Sequence, residues 1–291
     1  MKRLAFIHWN ILYEEGKYVL SYVQELHMFL LKRYAHVFTD ALVVLHTNDI
    51  HDIMTIHTVK VMFDKVFNGN VKFIVSKNSL DCECQTFKNY FLPIVLDKYN
   101  EYDLVYYIHN KGVFNGHTDN IRVWIASLYY YNFEYFNEHL NAGLSDANIF
   151  ITGGHLVSAK DKVGLNEDGG FGYIEDERVS DYCATTEIEH HFSGAFFGIF
   201  PKNYRKYYQS NKLPKSDIRN VIVSTEMHFF ANNLDKSHIH HDSHIAPIEC
   251  NNLAEYQITN NPYIEMDPII RKHSNEYDVN RVFTLARGEQ L

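Results

Sequence analysis

Three residues suited to binding an anion follow an apolar strand near the middle of the sequence. The strand spans residues 104–108, and its unbroken apolar run is typical of a strand buried on both faces inside a parallel sheet. His109 and Lys111 come directly after it, and Gly112 allows the backbone to turn sharply. In open α/β sheets, ligands bind at this end of the strands. An imidazole and an ammonium group there offer hydrogen-bond donors and charge to a phosphate, whereas the alternative is a polar turn without a ligand.

A second group of chemically useful residues lies further along the chain, at His191, Ser193 and Gly194. Alternate residues of an extended segment share a face. If Phe192 faces the core, His191 and Ser193 therefore point together into the crevice.

Glu226 is the third candidate. Ser224 or Thr225 is a suitable N-cap, which places Glu226 in the first turn of a predicted helix. A carboxylate in such a position can act as a general base toward a hydroxyl group. Its alternative role is to complement the helix dipole.

Histidines are also concentrated at residues 238–244, where four imidazoles and one carboxylate occupy seven residues. Such a cluster can bind zinc or nickel, and His238 and His240 would share one face of a strand. The alternative is a polar surface loop, which the lack of a His-Glu-x-x-His helical spacing favours. We therefore assign no metal ligand from the sequence.

Strands and helices alternate over the first 110 residues, and these elements must position the candidate residues. Apolar runs predict strands over 4–8, 41–45, 71–75 and 104–108, and helical spacing predicts helices over 18–33, 53–67 and 83–98. This alternation indicates βαβ units and a mainly parallel sheet flanked by helices. Further along, the pattern predicts a helix over 123–140, strands over 148–152 and 195–200, a loop over 166–172 and a helix over 224–232. We predict one domain over residues 1–235, with a C-terminal extension, residues 236–291, packed on it.

The composition argues against several classes of protein. The formal net charge of −9 argues against general affinity for nucleic acid or anionic lipid. The four cysteines have no CxxC spacing, so we expect reduced thiols in a cytoplasmic protein. The N-terminus is too polar for a signal peptide, and no run approaches the length of a membrane span.

Taken in order, these stretches resemble the motifs of a family of bacterial and viral glycosyltransferases, whose His-x-Lys signature also occurs in transferases of the rhamnan-synthesis type. The matching segments are Tyr107-Ile-His-Asn-Lys-Gly112, Val123-Trp124, His191-Phe-Ser-Gly-Ala-Phe-Phe197 and Glu226-Met-His228, with Asn10 and Cys82-Glu-Cys-Gln-Thr-Phe87 upstream. The sequence departs from the family at Asn110, Ile125 and Ala195, where the family has Thr, Arg and Asn, and it lacks two downstream tryptophans. Arg122 precedes Trp124 and can supply the missing guanidinium.

The resemblance implies a GT-A-like fold, a Rossmann-related α/β architecture that binds a nucleotide-sugar. It implies that the donor diphosphate is bound by His109, Lys111 and Gly112, and that the base is Glu226 or else His191. It also implies that the nucleoside or sugar is contacted by Asn10, Glu83, Ser193 and Gly194. The residues it implies for the acceptor are Trp124, Arg122, Lys202 and Arg205. No Asp-x-Asp follows the central strand, and Lys111 can neutralise diphosphate charge. We therefore expect no obligatory cofactor, and a bound Mn²⁺ or Mg²⁺ ion is the alternative.

These observations predict a nucleotide-sugar-dependent glycosyltransferase whose acceptor is a surface polysaccharide or another glycan. Within the same class, hydroxymethylated cytosine in phage DNA is an alternative acceptor, and the basic stretch that contains Lys202 and Arg205 would contact its phosphates. Two other classes remain open. One is a metallohydrolase built on the cluster at residues 238–244, and the other is a non-catalytic module that binds a sugar or a nucleotide.

Overall fold

The structure is a computed structural model that describes residues 1–78, 85–110, 119–147, 149–153, 156–158, 164–165, 171–172, 190–192, 196–210, 239–241 and 276–291. The described strands are β1 (Arg3–Asn10), β2 (Leu12–Glu14), β3 (Lys17–Val19), β4 (Asp40–Thr47), β5 (Val71–Lys77), β6 (Leu104–His109), β7 (Ile151–Gly153), β8 (Leu156–Ser158), β9 (Gly164–Leu165), β10 (Phe171–Gly172), β11 (His190–Phe192), β12 (Phe197–Ile199) and β13 (Ile239–His241). The described α-helices are α1 (Tyr22–Tyr34), α2 (Ile53–Val66), α3 (Leu92–Leu96), α4 (Asp119–Phe133), α5 (Phe136–Ser145), α6 (Pro201–Ser210) and α7 (Glu276–Ala286).

Seven of the described strands form one sheet, in the order β13-β7-β12-β6-β1-β4-β5. The neighbours β5, β4, β1 and β6 are parallel, while β12 runs antiparallel to both β6 and β7. The predicted fold class is therefore confirmed: the chain has a Rossmann-related α/β fold with a mixed, mainly parallel sheet flanked by helices.

Alternating side chains of the central strands build two apolar layers, one on each face of the sheet. In β1, Ile7 and Trp9 belong to the layer that includes α1 and α4, whereas Leu4 and Phe6 belong to the layer that includes Phe87 and its neighbours. Both sets are buried. Burial on both faces explains why this strand reads as an almost continuous apolar run.

A β-hairpin that the sequence analysis did not predict precedes α1. Its strands β2 and β3 are joined by Glu15 and Gly16, whose φ angles are 50° and 76°. Two successive positive φ angles are typical of a type I′ turn, in which Gly is favoured at the second position. The predicted helix over 18–33 therefore begins only at Tyr22, where Ser21 and Gln24 form a capping box.

The predicted helix over 83–98 is not a single α-helix in its described part. Phe87–Phe91 form a π-helix, and α3 follows it directly. Pro93 is the second residue of α3, and the backbone before it is already helical, with the N–H of Leu92 bonded to the carbonyl of Phe87. Proline inside a helix has no N–H to donate, and such positions commonly interrupt regular α-helical winding. The π-helix places the rings of Phe87 and Phe91 at 6.0 and 5.0 Å from the ring of Tyr107 in β6. The π-helix thus precedes Pro93 in a continuous helical segment, and its aromatic rings cover the central strand.

The aromatic segment over 123–140 also divides into two helices, α4 and α5, with Glu134 and Tyr135 between them. The last helix, α7, packs against α4. Arg281 of α7 forms a salt bridge with Glu134, and Nε of Arg122 donates to the carbonyl of Ala286 at 2.7 Å.

None of the helices in the described part of the chain combines the length and the apolar character that crossing a membrane requires.

Candidate active site

Three histidines stand side by side at the carboxyl ends of adjacent parallel strands, and we call them the histidine row. His8 of β1 is in register with His109 of β6, and His46 of β4 is in register with Asn10 of β1. The ring centroids of His8 and His46 are 4.6 Å apart, and those of His8 and His109 are 4.9 Å apart with the rings nearly perpendicular. All three side chains are buried, with His109 the most accessible at 8%.

The histidine row lies at the point where the strand order of the sheet reverses. From β1 the chain moves outward to β4 and β5, and it then crosses to the other side of β1 to form β6. The connections that leave β1 and β6 therefore diverge, and open α/β sheets bind ligands in the crevice at such a point. Asn10 and His109, which the sequence analysis selected, lie on the two strands that border it.

Two asparagines connect the strand ends across this crevice. Nδ2 of Asn10 lies 3.1 Å from Nε2 of His8 and donates to Oδ1 of Asn110 at 3.5 Å. Nδ2 of Asn110 in turn donates to the backbone carbonyl of Asn10 at 3.4 Å. Gln24, in the first turn of α1, donates to the same carbonyl at 2.6 Å. Side-chain amides therefore hold the ends of β1 and β6 against the start of α1.

Thr86, immediately before the π-helix, joins two members of the histidine row. Its Oγ1 lies 3.0 Å from Nδ1 of His8 and 2.5 Å from Nε2 of His46. Burial lowers the pKa of His46 to about 4; the backbone carbonyl of Lys77 opposes this lowering, and His109 adds to it. His46 is therefore neutral near pH 7, so it supplies hydrogen bonds to the site but no positive charge.

A further polar group lies beyond His46 at the end of β4. The hydroxyl of Tyr13 is 2.8 Å from Oγ1 of Thr47 and donates to Oδ2 of Asp52 at 3.3 Å. Asp52 is also the N-cap of α2, where its side chain accepts from the N–H of Thr55. These contacts tie the hairpin that carries Tyr13 to the same edge of the sheet as the histidine row.

Two of the residues predicted to contact an acceptor, Arg122 and Trp124, lie on α4. The guanidinium of Arg122 is buried over the ring of Tyr22, 4.0 Å from its centroid, while Nε bonds to Ala286. Burial lowers the pKa of Arg122 from its ordinary value. Trp124 is partly buried against the larger apolar layer. Arg122 therefore links α1, α4 and the end of α7.

The other two predicted acceptor residues, Lys202 and Arg205, lie on α6. Nη1 of Arg205 donates to the carbonyls of Val95 and Asp97, at 3.1 and 2.9 Å, where α3 ends. Lys202 is exposed. Arg205 thus has a structural contact of its own, and its predicted contact with an acceptor stays a prediction.

Several predicted site residues lie outside the described residues, namely Glu83, Lys111, Gly112, Ser193, Gly194 and Glu226. The predicted helix over 224–232 also lies outside them. His191 belongs to β11, which pairs antiparallel with β8 in a separate two-stranded sheet. The roles of all these residues stay predictions.

The described part of the chain contains no group of three His, Cys, Asp or Glu side chains arranged to hold a metal ion. In the histidine row, both ring nitrogens of His8 already face protein atoms, on Thr86 and Asn10. Of the cluster at residues 238–244, Ile239–His241 form β13, which pairs parallel with β7. The other members of that cluster lie outside the described residues.

A cavity of about 400 Å³ opens at the opposite edge of the sheet, near the amino ends of β1, β4 and β5. Its apolar walls and polar rim include Leu4, Leu42, Val71, Ile94, Asp40, Lys72 and Tyr102. The strands β1 and β4 run from this cavity toward the histidine row, so the cavity is separate from the predicted site.

The sequence analysis selected Asn10 and His109, placed Thr86 in a matching segment without assigning it a role, and did not select His8 or His46. A signal was present, because His8, His46 and His109 each stand at the end of a predicted strand or directly after one. Only the register of the parallel strands shows that the three rings are neighbours.

No family model matches the sequence, and no curated protein matches it. Among solved structures, the chain is similar to the 4-diphosphocytidyl-2C-methyl-D-erythritol synthase of Anaerococcus prevotii, with 10% sequence identity and a TM-score of 0.35 over 83% of this chain and 86% of that one. A likeness this loose says nothing about the reaction that this chain performs.

Proposed function

We propose that this chain is a glycosyltransferase that moves a sugar from a nucleotide-sugar donor to an acceptor hydroxyl. One observation carries the proposal: Asn10 and His109, selected by their motifs, lie on the two strands that border the crevice where the strand order reverses. Ligands of open α/β sheets bind at that place. The motif resemblance supplies the reaction, and the topology supplies a site where it can occur.

In this proposal, the diphosphate of the donor binds at the carboxyl end of β6. His109 donates a hydrogen bond, Lys111 supplies positive charge and Gly112 allows close approach of the backbone. The pKa of His46 is too low for a cation near pH 7, so the proposal assigns the positive charge to Lys111. Since an ammonium group can stabilise the departing diphosphate directly, the proposal requires no bound metal ion.

The proposed transfer needs a base for the acceptor hydroxyl. Glu226 removes its proton, the hydroxyl oxygen forms a bond to the anomeric carbon, and the bond from that carbon to the diphosphate breaks. The nucleoside diphosphate leaves with the electron pair. His191 is the second candidate for the base, and Asn10, Glu83, Ser193 and Gly194 are the proposed contacts to the nucleoside or sugar.

The proposed acceptor is a glycan. Trp124 is a partly buried aromatic side chain on α4, and Arg122, two residues before it, lies on a different side of the helix, over the ring of Tyr22. Hydroxymethylated DNA is the less favoured acceptor. Arg205, one of its predicted phosphate contacts, already bonds to the carbonyls of Val95 and Asp97.

The proposal is tested by measuring release of nucleoside diphosphate from a panel of nucleotide-sugars, with and without glycan acceptors. We expect acceptor-stimulated release with at least one donor. Glu226→Gln should slow transfer by about 10²–10⁴-fold without weakening donor binding, the usual span for a positioned base. Glu289→Gln, which alters an exposed carboxylate paired with Arg287, is the matched control and should transfer at the wild-type rate. A full rate in Glu226→Gln would remove it as the base, and no release from any donor would contradict the proposed function.

A further inference from the structure

The hydroxyl of Thr86 lies between the rings of His8 and His46, where it can influence which ring nitrogen carries the proton. It occupies the N-cap position of the π-helix, yet its side chain makes no capping hydrogen bond. Its Oγ1 instead lies within hydrogen-bond distance of Nδ1 of His8 and Nε2 of His46, and all three side chains are fully buried. A hydroxyl has one proton, so between two neutral imidazoles it donates to one ring and accepts from the other.

The two asparagines decide the direction of these bonds. Nδ2 of Asn10 can only donate, so Nε2 of His8 must be an acceptor. The same Nδ2 faces Oδ1 of Asn110, and Nδ2 of Asn110 faces the backbone oxygen of Asn10. Reversing Asn110 would bring its oxygen against that backbone oxygen, and reversing Asn10 would bring the two side-chain oxygens together. Both amides are therefore fixed in the observed orientation.

It follows that the proton of neutral His8 is on Nδ1, from which it donates to Thr86. The Thr86 hydroxyl then donates to Nε2 of His46, which leaves the proton of His46 on Nδ1. The hydrogen bonds thus run in one direction, from Asn10 through His8 and Thr86 to His46. The ring of His8 also packs nearly perpendicular to that of His109, at 4.9 Å between centroids.

We infer that Thr86 is a positioning residue of the site: it fixes the tautomer of His46 and holds the ring of His8, against which His109 packs. The part of this inference that concerns the nucleotide-sugar rests on the proposed function, whereas the tautomers do not depend on it. Replacing the hydroxyl with a methyl group leaves Nδ1–H of His8 and Nε2 of His46 without their common partner. The ring of His46 then becomes free to exchange tautomers, the ring of His8 keeps only its contact with Asn10 of these two hydrogen bonds, and His109 loses a fixed support.

The tautomers can be measured by long-range ¹H–¹⁵N correlation spectra of the histidine side chains at pH 7, with signals assigned from His8→Gln and His46→Gln. In the wild type we expect the proton of both rings on Nδ1. Thr86→Ser keeps the hydroxyl and should retain this pattern, whereas Thr86→Val is isosteric and should lose it for His46. A wild-type spectrum with the proton of His46 on Nε2 would overturn the assignment. A folded Thr86→Val variant that keeps the wild-type pattern would also overturn it. If that variant does not fold, the wild-type spectrum alone decides the assignment.

The effect on function is measured separately, as the rate of transfer from the active nucleotide-sugar. We expect Thr86→Val to transfer about 10–100-fold more slowly, the range found for groups that orient a metal-ligating histidine, and Thr86→Ser to stay close to wild type. If Thr86→Val changes the tautomer of His46 but transfers the sugar at the wild-type rate, the positioning role is refuted. If the tautomers behave as expected but no nucleotide-sugar is a substrate of the wild type, the proposed function fails while the tautomer assignment stands.

Discussion

The buried imidazole of His46 should make the stability of this protein fall between pH 7 and pH 5. In the unfolded chain His46 takes up a proton near its ordinary pKa of 6.5, but in the folded protein burial lowers its pKa to about 4. As the pH falls through this window, the unfolded state binds a proton that the folded state does not bind. The free energy of unfolding therefore decreases, and the decrease ends once the pH is below the folded pKa.

The size of this effect follows from the two pKa values of His46. The linkage relation gives a loss of about 2 kcal/mol in the free energy of unfolding between pH 7 and pH 5. In His46→Gln the side-chain oxygen can still accept from Thr86, but the group no longer titrates. We therefore expect the free energy of unfolding of the variant to fall by about 2 kcal/mol less than that of the wild type between pH 7 and pH 5.

Urea unfolding followed by circular dichroism at pH 7, 6 and 5 measures this difference directly. His51→Gln is the matched control, because His51 is exposed on the loop that follows β4 and should leave the pH dependence unchanged. Equal losses in the wild type and in His46→Gln would refute the reasoning, since His46 would then titrate alike in the folded and unfolded chains.

Three further outcomes test the site and its surroundings. Lys111→Ala should reduce turnover by about two to four orders of magnitude, as expected for loss of a preorganised charge contact; near-wild-type turnover would exclude Lys111 from the diphosphate site. Activity should persist in excess EDTA, and a loss that Mn²⁺ or Mg²⁺ restores would show that a metal ion is required. Arg205→Ala should lower the free energy of unfolding by about 1.5–3 kcal/mol, because a charged donor to the carbonyls of Val95 and Asp97 is removed. The exposed Lys202→Ala is its control, and equal urea midpoints for the two variants would contradict the structural role of Arg205.

The fold could be predicted because the central strands are buried on both faces. Their apolar runs stand out in the sequence, and strands that alternate with helices favour a parallel sheet. Local turn chemistry was harder to recognise. The hairpin at Glu15 and Gly16 depends on two positive φ angles, and Glu15 is not a residue that typically signals them. Helical spacing over 83–98 predicted a helix, but that spacing does not show that Phe87–Phe91 are wound as a π-helix just before Pro93.

The candidate site could be predicted only in part, because its residues meet through strand register. The motif around His109 located one strand end, but the position of His8 beside it depends on which residues of β1 and β6 pair. Thr86 is still harder to predict from sequence, since it reaches the histidine row from a helix 40 positions beyond His46 and 78 beyond His8. A propensity argument assigns a threonine at a helix start to capping, whereas burial against two imidazoles gives its hydroxyl other partners.

The most direct test of the proposed function is the melting temperature of the wild type and of His109→Ala in the presence of nucleotide-sugars and nucleoside diphosphates. A ligand at about 100 times its Kd stabilises the folded state by about 2.7 kcal/mol, which corresponds to a rise of about 4 °C for a chain of this size. We expect at least one nucleotide-sugar to raise the melting temperature of the wild type by this amount and to have a much smaller effect on His109→Ala. No rise with any of these ligands, or an equal rise in both proteins, would contradict a nucleotide-sugar site at the histidine row.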